Sequence, residues 1–154
     1  MANVTRINGF KPVKHLNGSP FNGQGNIYEV PAGEAIPVFI GDLVQFSTAA
    51  ATSNYPVVKS IATATTANNV AAAPVVGAVL GVFNAKVDID GKMTTGSISL
   101  DQPIFRSAST KQFVLVADSP DLIFEANSAA VIALADIGFN VDIASADETT
   151  SGAL

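Results

Sequence analysis

The chain has 154 residues, of which 48 % are hydrophobic and only 14 % are charged, and its formal net charge is −5. Such a composition excludes a typical nucleic-acid-binding protein, which neutralises phosphates with many lysines and arginines. The absence of cysteine excludes disulfides and thiolate chemistry, and a single histidine, His15, excludes a His-rich metal site. No apolar run reaches the roughly 18 residues that cross a bilayer, and no signal-peptide core is present, so we expect neither membrane insertion nor secretion.

The first 26 residues differ from the rest of the chain. Their only charged residues are Arg6, Lys11 and Lys14, and four glycines and two prolines interrupt any steady period. This pattern predicts an extended N-terminal arm over residues 1–26, followed by a β-rich domain over residues 27–154. From residue 118 onward the chain has seven acids and no lysine or arginine. Either this opposite charge of the two ends favours head-to-tail contact between copies, or it is a chance distribution.

The middle of the chain is a series of short strand-like runs broken by turn residues. Gly41-Asp42 and Asp90-Gly91 each separate two such runs and predict two hairpins. Gly77 and Gly81 lie inside one long apolar run, where glycine indicates a bulge or a close backbone approach. The runs predicted as strands are 27–30, 37–40, 43–46, 55–61, 74–83, 86–89, 92–95, 98–100, 113–117, 122–125 and 139–143.

One short helix is predicted near the C-terminus. Asn127 or Ser128 is a suitable N-cap, alanines with strong helix propensity follow, and Gly138 is a suitable stop. The apolar spacing of Val131 and Leu134 predicts that the helix lies against a sheet. Many short strands and one helix predict an all-β fold, mainly β with one short helix, as a β-barrel or sandwich with the N-terminal arm.

Three groups of residues resemble catalytic or ligand-binding motifs, and each has a simpler explanation. Asp88 to Gly91 resembles part of a calcium loop, but Lys86 stands where a ligand is needed, so a hairpin turn is favoured. Asp118 and Asp121 flank a proline and are typical of a turn, whereas Glu125 is expected to pair with a base such as Arg106. The glycines of residues 18–25 do not lie between a strand and a helix, as a phosphate loop requires.

A serine–histidine–aspartate triad is not expected either, because the one imidazole lies in the irregular arm. We therefore expect no enzyme, no cofactor and no metal site.

Several blocks of the sequence resemble a family of tailed-phage virion proteins. The first is Gly-Phe-Lys-Pro-Val-Lys-His-Leu at 9–16, followed by Gly-Ser-Pro-Phe at 18–21. The second is Val-Phe-Ile-Gly-Asp-Leu-Val at 38–44. The remaining blocks are 106–110, 114–121, 124–125 and 136–140. Together they span most of the chain, which on this basis resembles capsid decoration, or cement, proteins.

The resemblance implies a β-rich protein on the outer surface of the virion head, assembled in the host cytoplasm. Its partner would be the major capsid protein at capsomer junctions, and a homo-oligomer, with a trimer favoured, is expected. Members of the family continue with a further strand-rich segment, which leaves the closure of a barrel open. The low charge content agrees with partner binding, since a globular domain averages about 25 % charged residues.

We expect the arm to contact the partner. Phe10 and Leu16 would be apolar anchors, and Lys11 and Lys14 would meet acidic surfaces. The predicted partner-binding residues are Arg6, Phe10, Lys11, Pro12, Lys14, His15 and Leu16. Two alternatives stay open: a tail or fibre-associated role, and a carbohydrate-binding attachment module. The second is disfavoured because sugar sites use exposed aromatic rings, and the chain has no Trp and only two Tyr.

Overall fold

The computed structural model describes residues 9–61, 74–83, 105–126 and 133–138. This part of the chain is mostly β, which confirms the predicted fold class. Its nine strands are β1 (Lys11–His15), β2 (Asn26–Val30), β3 (Val38–Phe39), β4 (Leu43–Phe46), β5 (Val58–Ser60), β6 (Val75–Phe83), β7 (Phe105–Arg106), β8 (Gln112–Ala117) and β9 (Leu122–Glu125). The predicted strands at 86–89, 92–95, 98–100 and 139–143 lie outside the described residues.

The largest sheet has five antiparallel strands in the order β2-β8-β6-β4-β5. Strand β8 lies inside this sheet, and all of its residues except Leu115 are buried. The core is built mainly from valine, whose branched side chain suits a pleated surface. Its members are Tyr28, Val30, Val38, Val44, Val58, Val79, Val82, Val114 and Val116. Strands β1 and β9 form one smaller sheet, and β3 and β7 form another.

The edges of the five-stranded sheet approach each other at one point. Glu29 in β2 forms a parallel bridge with Val57, next to β5, and its amide donates to the Pro56 carbonyl at 2.9 Å. A single bridge is not a ladder, so the barrel is not closed and the arrangement is consistent with a sandwich.

Both glycines of the long apolar run have the predicted roles. A Cβ on Gly77 would lie 2.0 Å from the Ala117 carbonyl oxygen, so only glycine allows β6 to pass this close to β8. The register of the same pair of strands shifts between Val79 and Gly81, as in a bulge.

The predicted hairpin at Gly41-Asp42 is correct as a turn and wrong as a strand pair. The Asp42 carboxylate accepts the Phe39 amide at 2.8 Å, and Gly41 has a positive φ of 94°. Yet β3 pairs with β7, while β4 pairs with β5 and β6. The turn therefore moves the chain from one sheet to another.

The extended N-terminal arm predicted over residues 1–26 includes a strand that pairs with the β-rich part of the chain. Strand β1 is antiparallel to β9, with Lys11 opposite Glu125 and His15 opposite Leu122, and a register shift between Pro12 and Lys14. Residues 1–8, including Arg6, lie outside the described residues.

The predicted helix is described only in its last part. Leu134–Asp136 form a single 3-10 turn, and Gly138 follows with a positive φ of 93°, as expected of a residue that ends a helix. Leu134 is 87 % exposed, so the prediction that it packs against a sheet is wrong. Residues 127–132 lie outside the described part. Among the described residues, no helix is long and apolar enough to cross a membrane.

Candidate partner-binding surface

The segment predicted to bind a partner is fixed to the domain on both sides of β1. On one side, β1 pairs with β9. On the other side, Lys14 forms a β-bridge with Pro20, and the Phe21 amide donates to the Val13 carbonyl at 3.1 Å. A turn makes this return possible, because the Gly18 amide donates to the His15 carbonyl at 2.9 Å. Strand β1 is thus the middle of a narrow ribbon and not a free arm.

The ribbon begins at a tight backbone contact. The Phe10 amide donates to the Gly41 carbonyl at 2.8 Å. Gly9 has a positive φ of 58°, and a Cβ on it would lie 2.4 Å from the same Gly41 oxygen. Both the backbone conformation and the space therefore require glycine at position 9.

His15 ties β1 to the turn that precedes β9. Its Nδ1 lies 3.2 Å from Asp121 Oδ1, and the Leu16 amide donates to the Asp121 carbonyl at 2.8 Å. The Ser119 hydroxyl donates to the same Asp121 oxygen. Hydrogen bonds from Ser119 and then His15 lower the pKa of the Asp121 carboxyl. Because this serine is bonded to the carboxylate and not to the imidazole, the cluster lacks the nucleophile–base contact of a hydrolase triad.

The residues predicted to bind a partner divide into exposed and half-buried groups. Lys11, Lys14 and Leu16 are exposed, with Leu16 at 71 %. The half-buried group is Phe10, Pro12 and His15. Val13 was not predicted, yet it is 43 % exposed. It lies at the register shift of β1, which breaks the alternation that would have revealed its direction from sequence.

A shallow cleft of about 420 Å³ lies beside the ribbon. At its edge, the Tyr28 hydroxyl donates to Asp118 Oδ2 at 2.6 Å, and the Asn26 amide donates to the same oxygen at 2.9 Å. Burial, and then the hydrogen bond and charge of Asp118, raise the pKa of Tyr28 to about 12. The cleft is lined by His15, Phe21, Gln24, Gly25, Asn26, Asp118, Ser119 and Leu122.

The three carboxylates near residue 120 have separate structural roles. The Leu122 amide donates to the Ser119 carbonyl at 3.2 Å, which confirms the turn predicted there. Glu125 is exposed at the end of β9, opposite Lys11. The predicted pairing of Glu125 with Arg106 is wrong, because the Arg106 guanidinium binds backbone carbonyls instead.

Arg106 is fully buried and joins two loops, 31–36 and 106–110. Its guanidinium nitrogens donate to the carbonyls of Pro31, Ile36 and Thr110 at 2.8, 2.6 and 2.7 Å. Burial lowers the pKa of this guanidinium, and the nearby charge of Glu34 acts in the opposite direction. The planar guanidinium spreads its donors over three nitrogens, so that each carbonyl accepts from a different nitrogen.

A second charged cluster lies where the two edges of the five-stranded sheet approach each other. The buried Glu29 carboxylate accepts hydrogen bonds from the Thr52 hydroxyl at 2.6 Å and from the Ser53 hydroxyl. Lys111 Nζ lies 3.7 Å from the carboxylate and 2.6 Å from the Thr52 hydroxyl. Burial raises the pKa of the Glu29 carboxyl, but the hydrogen bonds and the Lys111 charge outweigh it, and the net pKa is lowered.

Within residues 9–61, 74–83, 105–126 and 133–138, no group of three or more His, Asp or Glu side chains is arranged to hold a metal ion. The calcium-like segment at 88–91 lies outside these residues. No family model, no curated protein and no solved structure matches the chain. The class that the fold defines is therefore a mostly β protein, and any function has to be argued from its surface.

Proposed function

We propose that this chain is a phage virion structural protein that decorates the capsid. It would bind the outer surface of the major capsid protein lattice at capsomer junctions and stabilise the head. The observation that carries the proposal is a set of exposed side chains along β1 and at the residue that follows it, here called the β1 surface: Lys11, Val13, Lys14 and Leu16. The apolar side chains of Val13 and Leu16 are exposed there beside the two lysines, and hydrogen bonds hold the backbone of the strand in place. The resemblance of the sequence blocks to decoration proteins supports the same function.

Fixed backbone geometry favours such binding. An arm that orders only on contact loses conformational entropy at that moment, whereas β1 is already held by β9 and by Pro20. Apolar contact of Val13 and Leu16 with a partner would therefore give a higher affinity than the same contact made by an arm that orders on binding. The lysines at the rim would favour a partner surface that carries acidic side chains.

Further exposed apolar side chains support contact at more than one place. Ile40 and Phe46 are about half exposed, and Phe105 stacks on Phe39 with 5.1 Å between ring centroids while remaining 36 % exposed. Single exposed apolar residues are common, but several of them on one lightly charged chain suit a protein that bridges subunits. Linked contacts to two capsid subunits would act at high effective concentration, so each contact can be modest.

The test is co-sedimentation of the purified protein with mature phage heads stripped of it, followed by cryo-EM of the pellet. The double variant Val13→Ser/Leu16→Ser should weaken head binding by at least about tenfold, since a fully buried Val or Leu contributes roughly 1.5–3 kcal/mol. Leu134→Ser is the matched control, because Leu134 is 87 % exposed outside the β1 surface. It should bind heads as the parent does.

Deletion of residues 9–16 is unsuitable as a test, because it removes β1 and leaves β9 without its partner. Ordered density at capsomer junctions, lost in the double variant, would support the proposal. Equal head binding by the parent and the double variant would rule out the β1 surface. Absence of any head binding, with binding to tails instead, would replace the decoration role by a tail role.

A further inference from the structure

Two Asn-Gly pairs lie close together in the ribbon beside β1. Asn17-Gly18 and Asn22-Gly23 are both exposed, and each follows a large apolar residue, Leu16 or Phe21. In an Asn-Gly pair the glycine nitrogen can attack the side-chain carbonyl carbon of the asparagine, because glycine has no Cβ to obstruct the approach. The reaction is intramolecular and is therefore limited by whether the chain reaches the required geometry. Because the two pairs have similar neighbours in sequence, the structure decides between them.

The backbone N–H of Gly18 is engaged in a hydrogen bond. It donates to the His15 carbonyl at 2.9 Å, which closes the turn after β1. The Asn17 side-chain oxygen accepts the Ser19 amide at 2.9 Å and the Ser19 hydroxyl at 2.7 Å. Attack by this nitrogen requires loss of its proton, so the hydrogen bond to His15 must first open.

The nitrogen of Gly23 has no hydrogen-bond acceptor within the part of the chain that the structure describes. Gly18 and Gly23 share a positive φ, of 87° and 83°, and no described residue beyond their chain neighbours lies within 4 Å of a Cβ on either, so the hydrogen bonding of the two nitrogens is what separates the two sites. The Asn22 side-chain oxygen accepts the Gln24 amide at 3.2 Å. This is the one hydrogen bond on that oxygen among the described residues, whereas the Asn17 oxygen accepts two shorter ones, so the Asn22 side chain turns more readily toward the Gly23 nitrogen.

We propose that Asn22 is a site of spontaneous deamidation in the folded protein and that Asn17 is protected. The Gly23 nitrogen forms a bond to the Asn22 side-chain carbon, and the side-chain nitrogen leaves as ammonia after taking up a proton. A water molecule then opens the cyclic imide at either carbonyl. The product is aspartate, or isoaspartate with one extra methylene in the backbone.

The change affects the cleft beside the ribbon. A neutral amide becomes a carboxylate next to Phe21 and close to Gln24, which both line that cleft. In the isoaspartate product the backbone path from residue 22 to residue 24 is longer, so the turn bond to the Gln24 amide is disturbed. Deamidation thus adds negative charge to a surface that already carries Asp118. The inference is independent of the proposed virion role.

The test is incubation of the folded protein in mildly alkaline buffer, with the same incubation in concentrated urea as reference. Cleavage after Phe10 and Phe21 separates these two pairs from each other and from the third pair of the sequence, Asn8-Gly9, and mass spectrometry quantifies deamidation in each peptide. In the folded protein Asn22 should react about fivefold faster than Asn17 or more, the factor that corresponds to one net hydrogen bond. In urea the two rates should be equal within about twofold, because both turns are lost.

Two variants sharpen the assignment. Asn22→Ser should abolish the fast reaction, and Asn17→Ser should leave the rate at Asn22 unchanged. Equal rates in the folded protein, or faster reaction at Asn17, would overturn the proposal. An identical ratio in folded and unfolded protein would also overturn it, since the difference would then come from local sequence alone.

Discussion

At the scale of single residues, buried charge organises the loops of this protein. Arg106 donates to three loop carbonyls, and no carboxylate of the described residues forms an ion pair with it. Neither its burial nor its partners are visible in the sequence, where arginine is most often exposed. The sequence suggested an ion pair with Glu125 because opposite charge is the only local clue. Carbonyl acceptors depend on where loops 31–36 and 106–110 meet, which is a property of the fold.

Asp42 gives a prediction with a definite sign. Burial raises the pKa of its carboxyl from 3.8 to about 6, against the smaller effect of the Phe39 amide. Since the folded pKa is above the unfolded one, folding favours the protonated form. The protonated Asp42 therefore contributes fully to the unfolding free energy below about pH 4, and this contribution is lost as the pH rises through about 6. Two pKa units correspond to about 3 kcal/mol.

The variant Asp42→Asn should therefore match the parent in unfolding free energy near pH 4 and exceed it by about 2–3 kcal/mol near pH 8. The asparagine oxygen still accepts the Phe39 amide. Urea unfolding at a series of pH values measures the difference. Asp121→Asn is the control with opposite sign, because the lowered pKa of Asp121 makes its ionised form stabilising at neutral pH. A parallel pH dependence of the Asp42 variant and the parent would contradict the assignment.

At the scale of elements, the sequence predicted the positions of strands and turns better than it predicted which strands pair. The run at 122–125 coincides with β9, and β2 begins one residue before its predicted start. Turn residues and alternation are local, so the sequence contains them. The partner of a strand is not local, which is why β3 and β4 were predicted as a hairpin although they join different sheets. Strand β1 was missed because Pro12 and the register shift beside it interrupt its alternation.

Gly77 and Gly81 provide a matched pair of positions in β6 that tests whether its close approach to β8 matters for stability. Gly77→Ala would place a methyl carbon 2.0 Å from the Ala117 carbonyl, so β6 and β8 would have to separate. We expect a loss of about 3 kcal/mol in unfolding free energy, the upper range for overpacking. Among the described residues a Cβ at position 81 meets only the Phe83 ring, at 3.8 Å, so Gly81→Ala should change stability by less than about 1 kcal/mol. Denaturant unfolding compares the two, and equal losses would show that the close approach is unimportant.

At the scale of the whole molecule, the large sheet depends on one charged cluster for its closing contact. Strands β2 and β5 are its edges, and the bridge from Glu29 to Val57 joins them. The loop between β4 and β5 is held there because Thr52 and Ser53 donate to the Glu29 carboxylate. A single acid in an apolar strand gives no hint of this role in sequence. The function proposed above needs a stiff body, and we expect this contact to contribute to its stiffness.

Replacement of Glu29 by glutamine tests whether that contact closes the sheet. Glutamine keeps the shape but cannot accept the same charge-assisted hydrogen bonds, so the closing contact should weaken by about 2 kcal/mol. Since the Glu29 pKa is lowered, the parent should lose the same stabilisation as the pH falls through that lowered pKa. Amide hydrogen exchange locates the effect. The amides of residue 29 and Ser47, which donate to Pro56 and Val57, should exchange faster, while Val79 and Val116 in the centre keep their protection.

The half-buried Glu34 supplies the control for this measurement. Its carboxylate accepts only the Ile36 amide, at 3.2 Å, among the described residues, so Glu34→Gln should leave the exchange of all four amides unchanged. If Glu29→Gln accelerated exchange equally at the edge and at the centre, Glu29 would support the entire fold and not its closure. If neither region changed, the bridge to Val57 would hold without the carboxylate. Faster exchange confined to the edge would show that a polar cluster, and not a continuous ladder, brings β2 and β5 together.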